Sequence, residues 1–126
     1  MLHPNQFSVN EAWIAFKIND NPVRTEADGN FNCLALMDGA SCFILGTEFI
    51  PDDAAEPSQL NVRRLLKAGW SHKKRLPQTL FLPREDQGTS IEREAARQKI
   101  EVVRVPESEL VIFIGEARQG FRERFE

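Results

Sequence analysis

The sequence predicts an α/β fold: a mixed five-stranded sheet, antiparallel at its N-terminal end, then built from strand-helix-strand units with helices on both faces. Two observations carry this. Residues 31–50 read as a hairpin, and from residue 57 onward apolar runs with strand character alternate with segments of helical periodicity.

"EAWIAFKI" (11–18) puts Ala12, Ile14, Phe16 and Ile18 on one period-2 face and Trp13 and Ala15 on the other, as a strand buried on both sides does. The ten residues before it are expected to form a loose arm. "NDNPVRTEADGN" (19–30) is rich in turn formers and reads as a loop. "FNCLALMDGASCFILGTEFI" is two β-rich runs around Asp38-Gly39-Ala40-Ser41. Pairing across that turn would set Cys33 opposite Gly46 and Cys42 opposite Met37, so the two cysteines read as small core residues and not as a disulfide.

After "PDDAAEP", Val62, Leu65, Leu66 and Gly69 recur at i, i+3, i+4 and i+7, which predicts a helix from Pro57 that Gly69 terminates. "TLFLP" (79–83) is a short buried strand. "TSIEREAARQK" (89–99) starts a helix with Thr89 and Glu92 spaced as a capping box, and "IEVVRVP" (100–106) returns to strand. In 107–125 Leu110, Phe113, Ile114, Ala117 and Phe121 share one helical face, while "LVIFI" (110–114) also fits a strand.

The chain has 126 residues, about one domain, with 41% apolar and 28% charged residues. Its apolar runs are too short to span a bilayer, and the first residues lack the pattern of a secretory signal, so a cytoplasmic location is expected. The net charge of −3 conceals a segregation. Residues 63–75 hold Arg63, Arg64, Lys67, Lys73, Lys74 and Arg75 and no acid; without these six cations the rest of the chain stands at −9. With Trp70 among them, they are candidates to grip phosphates and stack a base, or to meet an acidic protein surface. A plainer reading also holds: cations near a helix C-terminus suit its dipole, and Trp70 is core beyond a Gly69 cap.

"EAWIAF", "LALMDGASCFILG", "LPQTLFLPREDQGTS" and "IGEARQGF", together spanning roughly residues 11–121, resemble the ribonuclease H-like fold, in particular the core of transposases and retroviral-type integrases. The resemblance implies carboxylates holding two divalent metals about 3.5–4 Å apart for phosphodiester chemistry. The family's first aspartate would fall at about Ala15 or Phe16 and its second at Pro83; only the glutamate position offers an acid, Glu116. Glu85 and Asp86 lie ~7–10 Å along the chain from Pro83 at strand geometry, too far to close the same cage.

No His and Cys cluster, phosphate-binding glycine pattern or nucleophile motif adds a second chemistry, so no catalytic residue, metal or cofactor is expected. The function expected is a non-catalytic binding domain that engages a protein partner or a second copy of itself. Nucleic-acid binding through residues 63–75 is the alternative, and a metal-dependent nuclease the remotest reading.

Overall fold

The structure is a computed structural model and describes residues 1–125. Its strands are β1 (Ala12–Lys17), β2 (Val23–Arg24), β3 (Asn30–Asp38), β4 (Ile44–Pro51), β5 (Thr79–Pro83) and β6 (Glu101–Val105). The helices are α1 (Gln59–Lys73), α2 (Thr89–Arg97) and α3 (Val111–Phe125), with 3-10 turns at Pro4–Gln6 and Glu107–Leu110. β3 pairs antiparallel with β1 and with β4, while β1, β5 and β6 run parallel. A strand has two edges, so the five long strands lie in the order β4-β3-β1-β5-β6. The two-residue β2 sits beside β1 on the same edge of β3, a sixth strand in what reads as a loop.

Alternation along β1 builds two cores. Trp13 and Ala15 join Leu34, Leu36, Leu80 and Leu82 beneath Val62, Leu65 and Leu66 of α1 and Ile91 and Ala95 of α2. Ile14 and Phe16 join Ala35 and Met37 on the other face, covered by Leu110, Phe113 and Ile114. "LVIFI" is therefore helical, and helices cover both faces as expected.

Four local expectations are corrected. α1 does not stop at Gly69: it runs to Lys73 and ends on Lys74 in the left-handed region, while Ser58, bonded reciprocally with Asn61, opens it. Gly69 is there because α1 crosses Trp13 so closely that a Cβ would meet the indole at 2.6 Å and Leu36 at 2.9 Å. The Thr89/Glu92 capping box is absent. Gly88 is the N-cap without a side-chain bond, the Ser90 N–H donates to Glu56 at 2.7 Å, and Glu92 pairs with Arg104 instead.

The hairpin turn is longer than expected, and a bulge between Leu36 and Met37 sets Cys33 opposite Phe49 and Leu36 opposite Gly46. Cys42 lies in the turn with φ 60°, and both thiols are free. Burial pushes the Cys33 thiol up to about 11.

The first ten residues are docked and not loose. The Leu2 N–H donates to the Glu109 carbonyl at 3.0 Å, Phe7 packs 5.6 Å from Phe81 between ring centroids, and Asn10 is buried.

Candidate functional site

The basic segment folds as the outer face of α1 and the turn after it. Two of its three arginines are already engaged: Arg63 pairs with Glu94 at 3.1 Å and Arg64 with Glu48 at 3.0 Å. Glu94 is buried, which pushes its carboxyl up, yet hydrogen bonds from Gln98 and Arg63 outweigh burial and hold it below the ordinary range. These two arginines link α1 to α2 and β4 while their side chains stay exposed. Lys67, Trp70 and Lys74 lie at i, i+3 and i+7 on the solvent side. Trp70 is 41% exposed, so it is not core, and the Lys74 ammonium stands 4.9 Å from its ring centroid. Lys73 and Arg75 are exposed beside them. All seven sequence-predicted residues are thus exposed, two of them arginines held by acids from other elements, and of the five others Lys74 stands against the indole.

The positions where the resembled family carries acids lie at the finishing ends of β1 and β5. Ile14 pairs with Phe81, and continuing that register sets Phe16 level with Pro83. Ala15 faces the α1 side and Phe16 the α3 side, both buried. Glu116 does not join them. It is exposed, and its charge acts on Cys42 in the turn beyond Asp38, near the start of β1. The α3 residue that reaches the far end is Arg118, whose Nε and Nη2 donate to the Lys17 carbonyl at 3.1 and 2.9 Å and whose Nη2 pairs with Glu107 at 2.7 Å.

The acids nearby are otherwise occupied. Glu85 accepts from the Glu107 N–H at 3.0 Å. Asp86 is pushed up from the ordinary carboxylate value by burial and by Glu107, with Arg118 and Lys17 pulling the other way and Glu85 adding to the rise. Arg104 fans across the carbonyls of Pro83, Arg84 and Asp86 and staples the "PREDQG" loop to β6. Among the described residues no three His, Cys, Asp or Glu side chains group as a cation would need. A pair of divalent metals does not fit here, because a guanidinium, a proline and apolar side chains stand where oxygen donors are required. Clefts flank this end on both faces: about 240 Å³ beside Lys17, Glu56 and Asp86, and about 480 Å³ beside Asp20, Glu107 and Arg122.

A third feature lies outside the basic segment. One helix covers the α3 face where two cover the other, and β4 projects beyond it. Between β4 and the C-terminal half of α3 runs an apolar groove of about 680 Å³, walled by Ile44, Phe49, Phe121 and Phe125. Phe49 is 53% and Phe125 60% exposed. A sequence signal existed, since Phe125 extends the Ala117–Phe121 stripe by one more turn than the core needs.

No family model and no curated protein matches the chain. Among solved structures it is similar to a chain of the simian T-cell lymphotropic virus intasome in complex with PP2A regulatory subunit B56 gamma. The identity is 12% and the TM-score 0.53, covering 95% of this chain and 43% of that one. This chain therefore spans less than half the length of the chain it matches. That likeness and the strand order β4-β3-β1-β5-β6, with α1 and α2 on one face and α3 on the other, give the protein a ribonuclease H-like fold of the integrase-core kind.

Proposed function

We propose that this domain acts by binding and not by catalysis, using a ribonuclease H-like scaffold to engage a protein partner or a second copy of itself. The observation that carries the reading is Arg118. Its guanidinium, held by the Lys17 carbonyl and Glu107, brings positive charge to the end of β1 and β5 where a nuclease of this fold would gather negative charge around metal. The groove beside β4 and α3 supports the choice of a protein partner, because exposed aromatic side chains around an open concavity are the usual stuff of interface cores.

The test is incubation of the full chain with Mg²⁺ or Mn²⁺ and DNA, RNA or their hybrid. No cleavage is expected. Cleavage that vanishes in Asp86→Asn or Glu107→Gln would defeat the proposal.

The stripe on α1 favours a second reading, nucleic-acid binding. Lys67, Trp70 and Lys74 interleave cation and ring along one solvent face, the pattern that pairs phosphate contact with base stacking. In that case affinity for single-stranded nucleic acid falls steeply with salt and drops again in Trp70→Ala. Flat titrations at low salt would remove it.

A further inference from the structure

The sheet has two free edges, and they differ. β6 is five residues long and carries Glu101 and Arg104 among them, the latter tied to Glu92 at 2.6 Å. β4 is eight residues long and pairs with β3 alone. Its single charged side chain, Glu48, is neutralised by Arg64 and bonded by Asn61 at 2.9 Å. Edge strands are ordinarily protected by exposed charge, a bulge or proline, since their unpaired N–H and C=O groups template further pairing. β4 has a bulge at Leu45, next to its first residue, and Pro51 at its last position, which leaves the stretch from Gly46 to Ile50 as the bare part of the edge. Beside that edge lies the groove, with Phe49 on one wall and Phe125 on the other.

We propose that β4 pairs antiparallel with β4 of a second copy of this chain about a twofold axis, closing both grooves at once. The inference rests on the binding reading above and names its occupant. Three features select a second copy. Antiparallel pairing of identical strands is self-complementary, and a twofold interface ends the edge where a head-to-tail one would extend it. The paired edges bring no uncompensated like charges together, because Glu48 is already neutralised. The apolar wall beside the edge, where Phe49 and Phe125 are each more than half exposed, is covered in both copies by one and the same contact.

The area is that of a weak dimer. Phe49 and Phe125, each more than half exposed, bring on the order of 100 Å² apiece. With the eight-residue edge this amounts to several hundred Å² per copy, toward the roughly 800 Å² of a standard interface.

Sedimentation equilibrium of the full chain between about 1 and 200 µM tests this. A dimer is expected. Thr47→Lys and Phe49→Glu, which put charge at two places on the groove face of β4, each raise the dimer Kd at least about tenfold. Arg93→Glu on α2 leaves it unchanged, and circular dichroism of each variant reports the fold. A wild type that stays monomeric, or a dimer indifferent to both β4 substitutions, overturns the pairing. The binding reading falls separately, by metal-dependent cleavage, whatever the oligomeric state.

Discussion

The two ends of the sheet treat carboxylates in opposite ways. Where β1 begins, Asp38 is 3% exposed and accepts from the Asn10 N–H at 2.7 Å, the Ser41 N–H at 2.9 Å and the Ser41 hydroxyl at 2.7 Å. Asn10 accepts from the Trp13 indole at 2.9 Å and donates to the Arg75 carbonyl at 3.2 Å. One network thus ties the N-terminal arm, β1, the hairpin turn and the end of α1. Where β1 and β5 finish, Asp86, Glu85 and Glu107 crowd around Arg118 and Lys17, and Asp86 is left with a raised pKa. A carboxylate drawn out of water stabilises where donors converge on it and costs stability where desolvation goes unanswered and other acids stand beside it. The first end is built for rigidity, and the second carries charge that packing alone does not explain.

The comparison breaks most severely at the first end. Asp38→Ala leaves two backbone N–H groups without their acceptor, at about 1–3 kcal/mol each, so a loss of about 3 kcal/mol is expected in urea denaturation. A variant within 1 kcal/mol of wild type, about the worth of one ordinary hydrogen bond, would show that water replaces Asp38 at no cost. Gly69→Ala comes next. Alanine favours a helix by about 1 kcal/mol, yet its Cβ must displace Trp13 and Leu36, so a net loss of about 1–2 kcal/mol is expected by thermal melting. A gain would mean that α1 lifts off the sheet freely.

The smallest effect sharpens the contrast from the other end. A carboxyl whose folded pKa is raised contributes its full stability below the unfolded value of about 3.8, and that contribution is lost as pH rises through the folded value. Asp86→Asn is therefore expected to stabilise the protein at pH 7 by less than about 1 kcal/mol, with the gain disappearing near pH 3. Destabilisation at pH 7 would make Arg118 and Lys17 the dominant neighbours.

Much of this was legible in the sequence, and the failures have physical causes. Alternation in 11–18 assigns each β1 residue to its correct core, and β5 matches "TLFLP" residue for residue, because buried strands are written in local periodicity. Gly69 misled because a glycine that ends a helix and one that admits an indole look alike until Trp13, 56 positions away in the chain, is seen against it. The hairpin register failed because the turn is longer than the Asp38–Ser41 signal suggests, which shifts it by two residues, and a bulge adds one more. At the candidate site, the local charge pattern singles out residues 63–75 but not the pairing of Arg63 and Arg64, since Glu94 and Glu48 come from other elements. Arg118 was invisible because its partner carbonyl lies 101 residues upstream.

The place of β1 in the strand order also governs how the chain is made. Its neighbours come from residues 34–38 on one side and 79–81 on the other. During synthesis the most apolar strand of the protein therefore keeps one edge open until α1 and β5 have emerged. The entropy of closing so long a loop is spent before the β1–β5 pairing repays it, so in that interval an apolar strand edge stands open.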